Sequence, residues 1–334
     1  MAFRNICVYG AGALGGSFAA KIASSLGSDV NVSVVARGAH LQAVRDNGLT
    51  VTHVDPSLAD IKAKVTATSD PSELPKQDLI ITGLKGHQLS AAAEGIASLL
   101  KDGTRVVMIL NGIPWWYFHA DKDSGHAERQ LAEVDPDGKL WSLIGPDRVL
   151  GCVAYQGAEI VEPGKISLSG SGRYFLGEPS GAMSADLDAI ADLLTRSGLT
   201  ILPTPRIRDE IWTKLRGNAS HNPISALTRA TMDRIFASED LRATALAVML
   251  EVEAVGTALG CRFTLSAEEH LANSGKAGPI RTSMLQDLTN RKPLEILPLN
   301  GMVVSLGKLA GVPTPICSTV FALATQLDVE NLRD

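Results

Sequence analysis

Within the stretch Trp212 to Pro223 (WTKLRGNASHNP), three polar side chains recur at steps of four: Lys214, Asn218 and Asn222. At 3.6 residues per turn a step of four drifts by about 40°, so on a helix the three share one face. A solvated side of an amphipathic helix accounts for any one of them taken singly. Asparagine is a poor helix former, because its amide competes for backbone hydrogen bonds, so two of them at this spacing need a reason. A face built to hydrogen-bond a carboxylate or hydroxyls supplies one. A lysine beside such a face can stabilise an alkoxide developing on a carbonyl and then protonate it. That is half of a carbonyl reduction; the hydride must come from a cofactor.

The cofactor signal lies at the other end of the chain. Gly10-Ala11-Gly12-Ala13-Leu14-Gly15 fits G-x-G-x-x-G between a strand-like run, Asn5 to Tyr9 (NICVY), and an Ala-rich helical stretch, Leu14 to Leu26. In that context Gly10 permits the tight turn, Gly12 lets backbone approach a pyrophosphate, and Gly15 lets helix and strand pack closely. Phosphates then meet the free N–H groups and positive end of the helix. A chain with 31 glycines produces such matches by chance, so the context matters more than the pattern. The next strand-like run, Asn31 to Ala36, ends in Arg37, and no acidic residue lies between Val34 and His40. An acid there would bond the ribose 2′-OH of NAD, whereas a guanidinium pairs with a 2′-phosphate, so NADPH is the expected cofactor and a solvated surface arginine the alternative. Lys85, after Asp78 to Thr82, and Asn111, after Arg105 to Leu110, also end strands at the ligand-facing edge, although either residue is common in plain turns.

These residues need elements to hold them. Short apolar runs alternate with helical patterns at Ala39 to Asp46 and Gln88 to Leu100, which argues for a parallel, doubly wound sheet, with Leu49 to Thr68 reading as an inserted β-hairpin. Pro114 to Pro146 breaks the rhythm and carries Trp115, Trp116, Tyr117, Phe118 and Trp141. Leaving the sheet just after Asn111, this insert is expected at the mouth of the site, with exposed aromatics that need a surface to cover. Strand signals return at Arg148 to Ala154, Lys165 to Leu168 and Arg173 to Leu176, then a helix at Ala185 to Arg196 and a strand at Leu199 to Leu202. Beyond Pro203-Thr204-Pro205 the patterns are helical: Ile207 to Leu227, Leu241 to Leu259 and Leu299 to Leu309. The reading is an α/β protein: an N-terminal Rossmann-like doubly wound domain over residues 1–204, then an all-α domain over 205–334.

Bulk properties narrow the classes. A length of 334 residues favours two domains, and 45% hydrophobic with 20% charged residues leaves little room for a disordered tail. The net charge of −5, without a basic run interleaved with aromatics, argues against nucleic acid. Cys7, Cys152, Cys261 and Cys317 lie too far apart for a zinc or redox motif and read as reduced core thiols, so no metal is expected. No signal peptide and no membrane-spanning run is apparent, which makes the cytoplasm the expected location.

The combination of Gly10 to Gly15, Arg37, Lys85, Asn111-Gly112, Lys214 with Asn218 and Asn222-Pro223, the run Ser283 to Asp287 (SMLQD) and Glu295 resembles the ketopantoate reductase (2-dehydropantoate 2-reductase) family over nearly the whole chain. The resemblance implies NADPH-dependent reduction of 2-dehydropantoate, or a closely related small 2-oxo acid, as in pantothenate biosynthesis, with the active site in a cleft between the domains. Gly10, Ala11, Gly12, Ala13, Leu14, Gly15, Arg37 and Lys85 would bind NADPH, and Asn111 would sit near nicotinamide and substrate. Lys214 would donate the proton. Asn218, Asn222 and Ser283 would hold the substrate, and Glu295, also catalytic, would contact substrate hydroxyl and cofactor ribose. From composition alone, Ser283 would be a helix-end residue and Glu295 a solvated one. The chain departs from the family by its insert of roughly 30 residues after Asn111-Gly112, and the place about ten residues beyond Asn222 where a second polar side chain sometimes sits falls near Met232. Two other classes remain at this point: a β-hydroxyacid or 6-phosphogluconate type of dehydrogenase, against which Ser283 and Glu295 argue, and a non-catalytic dinucleotide sensor, which would not need the Lys214 face. Expected partners are the small 2-oxo acid and, as a possible homodimer, a second copy of the chain; nucleic acid and membrane are not.

Overall fold

The computed structural model describes residues 3–333. Contacts divide the chain into two compact units, the first taking the chain up to Leu110 with Phe118–Ala120 and Gln130–Ile207, the second taking Asn111–Tyr117, Asp121–Arg129 and the chain from Arg208 on.

In the first unit β1 (Asn5–Tyr9) leads through the glycine turn into α1 (Ala13–Leu26), followed by β2 (Asn31–Val35) and α2 (Gly38–Asn47). A hairpin of β3 (Leu49–His53) and β4 (Ile61–Ala63) comes next, then β5 (Thr66–Thr68), β6 (Leu79–Thr82), α3 (Gly86–Ser98) and β7 (Arg105–Ile109). The unit closes with β8 (Val149–Glu162), β9 (Lys165–Gly177), α4 (Ala185–Arg196) and β10 (Thr200–Pro203). The strands run in the order β4-β3-β9-β8-β7-β6-β1-β2-β5, with β10 pairing β9. From β5 across to β8 every pairing is parallel. Parallel strands covered on both faces read as continuous apolar runs, and β1, β6 and β7 do so with Ile6, Val8, Leu79, Ile81 and Val107 fully buried. The chain winds from β1 to β2 on one side and returns to β6 on the other, so the sheet switches direction beside β1. Ligands bind at the carboxyl edge of such a switch.

Two strand assignments differ from the sequence expectation. The predicted hairpin over Leu49 to Thr68 ends at Ala63; Thr66–Thr68 leaves it and pairs with β2 instead. The separate runs over 148–176 are one long antiparallel hairpin, its polar outer half made of alternating residues that carry no apolar run to be seen. The α1 helix lies against these strands, Phe18 meeting Tyr174 edge-on at 4.9 Å between ring centroids.

The second unit is helical: α5 (Ile207–Thr228), α6 (Met232–Ala237), α7 (Glu239–Ala258), α8 (Ala267–Ser274), α9 (Ser283–Thr289), α10 (Met302–Ala310) and α11 (Pro315–Asn331). Side-chain caps mark several starts: Ser238, Ser266 and Thr282 accept from the backbone N–H three residues on. A π-helical turn, Leu297–Gly301, precedes α10.

The insert is divided between the two units rather than belonging wholly to the first. Its aromatics are not exposed: Trp115, Trp116, Tyr117 and Phe118 are all buried. The physical reason is visible within the second unit. Trp212 Nε1 donates to Tyr117 Oη at 2.7 Å, Arg208 Nε donates to the Tyr117 carbonyl at 2.7 Å, and the Arg208 guanidinium lies 5.6 Å from the Tyr117 ring centroid. The segment is thereby fixed to the first turns of α5.

Candidate functional site

At the start of α1 the three glycines have different reasons to be glycine. Gly10 has φ +91°, which an L side chain rarely adopts, and a Cβ on Gly15 would lie 2.2 Å from the Gly10 carbonyl oxygen. Both are required by the protein's own packing. Gly12 has φ −64°, open to any residue, and a Cβ there would meet only the Gly83 carbonyl oxygen at an ordinary 3.6 Å. What its missing Cβ preserves is open approach to the helix end. That end has no side-chain cap and no acidic residue in its first turn, which leaves its N–H groups and dipole to an anion. A dinucleotide pyrophosphate fits this cradle.

Arg37 is exposed at the N-cap of α2, two residues after β2, and Lys85 is half-buried at the N-cap of α3, three residues after β6. Because β2 and β6 flank β1, these cations stand at strand ends on either side of the glycine turn. Arg37 also stands near Tyr9: burial pushes the Tyr9 phenol above its ordinary range and the Arg37 charge opposes that rise.

In the helical unit the Lys214 face of α5 is not a solvated face. Lys214 and Asn218 are half-buried and Asn222 is 7% exposed. Asn222 reaches a small pocket whose wall is completed by Asn111, Ser283, Met284, Asp287, Glu295 and Leu299. Its Nδ2 lies 3.5 Å from Ser283 Oγ. Ser283 opens α9, capped by Thr282, as a helix-end residue should. Glu295, solvated on composition alone, is instead 9% exposed, because the backbone just after it winds into the π turn against the start of the insert. There Ile113 N donates to the Pro298 carbonyl at 3.0 Å, and Gly112, at φ +81°, passes so close that a Cβ would lie 2.2 Å from the same oxygen. This close passage is what brings Asn111 to the pocket.

Four of the residues singled out in the sequence, Asn111, Asn222, Ser283 and Glu295, thus line one pocket, while Lys214 and Asn218 stand on the same helix about two turns and one turn before Asn222. The glycine turn, Arg37 and Lys85 form a separate group in the first unit. Met284, Asp287 and Leu299 were missed; Asp287 stands four residues after Ser283 in the SMLQD run, and that helical step was the available signal.

Behind the α5 face lies a buried polar cluster. Arg216, fully buried, donates from Nε to His270 Nδ1 at 3.0 Å and from its terminal nitrogens to the Leu265 carbonyl at 3.0 Å and to Glu253. Burial, reinforced by the Arg216 charge, lowers His270 to about 4. His221, beside Asn222, is also lowered to about 4, by burial first and by His270 second. Both rings are therefore neutral near pH 7 and leave the charge at this helix to others.

An open-sheet switch point with a glycine cradle, and a polar pocket in a helical unit, define a dinucleotide-dependent oxidoreductase. The model for ketopantoate reductase PanE/ApbA matches residues 6–181, and that for the ketopantoate reductase PanE/ApbA C terminal matches residues 206–328. The chain belongs to the ketopantoate reductase family. It is 43% identical to a 2-dehydropantoate 2-reductase of Mesorhizobium japonicum, over 97% of this chain and 98% of that one. A 2-dehydropantoate 2-reductase of Archaeoglobus fulgidus is 28% identical over 97% of each chain. The crystal structure of 2-dehydropantoate 2-reductase from Geobacter metallireducens superposes with a TM-score of 0.83 at 26% identity, covering 96% of this chain and 99% of that one. This membership displaces the β-hydroxyacid dehydrogenase and sensor readings. Among the described residues no helix is long and apolar enough to cross a membrane.

Proposed function

We propose that this protein reduces 2-dehydropantoate to pantoate with NADPH. The observation that carries the reading is the pocket that gathers Asn111, Asn222, Ser283 and Glu295 from three distant parts of the chain. Its lining mixes amides, a hydroxyl and carboxylates with the apolar side chains of Met284 and Leu299, a combination that suits a small polar acid. The substrate's carboxylate and hydroxyl match the amides of Asn218 and Asn222 and the Ser283 hydroxyl, and its paired methyl groups match Met284 and Leu299. Glu295 accepts from the substrate hydroxyl.

NADPH, when bound, supplies the hydride that goes to the carbonyl carbon. Gly10 to Gly15 would hold its pyrophosphate, Arg37 its 2′-phosphate and Lys85 a further part of its charge. As the C=O bond opens, Lys214 Nζ stabilises the oxygen and transfers a proton to it, then regains one from solvent. All four cysteines are buried thiols, which suits the reducing cytoplasm as the place of work.

The test is NADPH oxidation by the purified protein against 2-dehydropantoate, other 2-oxo acids and 3-hydroxy acids, repeated with NADH and with Arg37→Ala. Loss of a charge-assisted bond should weaken NADPH by about 1.5 to 3 kcal/mol, roughly ten- to a hundredfold, and leave NADH nearly unchanged. Absence of turnover with 2-dehydropantoate would refute the substrate; equal use of NADH and NADPH would refute the role of Arg37.

A further inference from the structure

The α5 helix contains a proline, Pro223, directly after Asn222. Proline has no N–H, so the carbonyl four residues earlier, that of Ala219, loses its helical donor just where the helix carries the pocket residue. A buried carbonyl without a partner is unfavourable, and this one is not left without. Asn300 Nδ2, from the π turn, donates to the Ala219 oxygen at 2.8 Å. Asn300 is fully buried, and its Oδ1 has no hydrogen-bond partner. A buried amide satisfied in only one half is retained for what that half does, since an apolar residue would otherwise fill the space at less expense.

We propose that Asn300 is a positioning residue: its amide stands in for the N–H missing at Pro223 and locks the π turn to α5 between Asn218 and Asn222. The π turn carries Leu299 of the pocket, begins two residues after Glu295, and holds the Asn111-Gly112 passage through the Pro298 carbonyl. One side chain therefore sets the register of three separate pieces of the pocket wall. The substrate consequence rests on the reading of the pocket as the site of a 2-oxo acid; the link between Asn300 and Pro223 does not.

The experiment is a double-mutant cycle of Asn300→Leu and Pro223→Ala, read by the KM for 2-dehydropantoate, by kcat, by the NADPH Kd from fluorescence and by chemical unfolding. Alanine at 223 restores an N–H to the helix, so the Ala219 carbonyl no longer needs Asn300. Asn300→Leu alone should raise KM at least tenfold with the NADPH Kd within twofold, and in the Pro223→Ala background the same change should raise it less than threefold. An equal penalty in both backgrounds, or an NADPH Kd that moves as far as KM, overturns the proposal. If Asn300→Leu does not fold, recovery of folded protein in the double variant supports it, and a double variant that fails while Pro223→Ala folds overturns it. If the wild type turns over no 2-oxo acid, the proposed function falls, and coupling in the unfolding cycle still decides for or against the Asn300–Pro223 link.

Discussion

Replacing Gly112 by alanine tests how Asn111 reaches the pocket. At φ +81° an L residue with a Cβ is disfavoured by about 1 to 2 kcal/mol. The new Cβ would also lie 2.2 Å from the Pro298 oxygen, 2.6 Å from its carbonyl carbon and 3.1 Å from its Cβ. Regaining ordinary contact takes a displacement on the order of 1 Å. That movement breaks the Ile113 N to Pro298 O bond, worth about 0.5 to 1.5 kcal/mol. The expected destabilisation is about 1.5 to 3.5 kcal/mol, measured by urea unfolding. Gly125 supplies the control, since it has φ +76° but open space around its Cβ position, so Gly125→Ala pays only the backbone term. A misplacement of about 1 Å can reduce turnover efficiency up to a hundredfold, so Gly112→Ala should lower kcat/KM for the 2-oxo acid at least tenfold and spare the NADPH Kd. Equal destabilisation of the two variants, or a Gly112→Ala enzyme with normal kcat/KM, would refute the argument.

Lys214→Ala should lower kcat by two or more orders of magnitude, about 2.7 kcal/mol or above, with NADPH affinity within a few fold; near-normal kcat with chemistry rate-limiting removes Lys214 from the reaction. Tyr117→Phe leaves Trp212 Nε1 buried without its acceptor and should destabilise by about 1 to 3 kcal/mol in chemical unfolding, a cost that should be markedly smaller when the same change is measured in a Trp212→Phe background. His221 has a folded pKa of about 4 against an ordinary 6.5, so the unfolded chain takes up the proton first. Its contribution is complete above pH 6.5 and is lost as the pH falls from there toward 4. Between pH 7.5 and 5.5 this is roughly 1 to 1.5 kcal/mol, and His221→Phe should lose that much less stability over the same interval.

What could be read from the sequence was what local rules decide. The glycine turn was legible because helix, strand and turn chemistry fall within a few residues, and the Lys214 face because a helix repeats its neighbours every four. Burial was not legible where it depends on residues far along the chain. Glu295 owes its burial to the π turn and to the close passage at Gly112, neither of which has a local signature. The insert aromatics looked like a surface layer because their partners, Arg208 and Trp212, lie about ninety residues later, as the separation of 95 between Tyr117 and Trp212 shows. Asn300 had one available signal: a proline inside a predicted helix implies that some distant donor must take over a carbonyl.

The division of the chain has a consequence for how the protein is made. Asn111–Tyr117 and Asp121–Arg129 are synthesised in the middle of the sheet unit but belong to a unit whose helices begin only at α5. Until the ribosome has delivered Arg208 and Trp212, Tyr117 lacks the partners that hold it, and the nascent chain presents an apolar segment with Trp115 and Trp116 next to a half-built parallel sheet. A product cut near residue 207 would carry that segment permanently, so the two units are coupled at birth. Truncation near residue 207 should yield aggregation-prone protein rather than a free dinucleotide-binding domain.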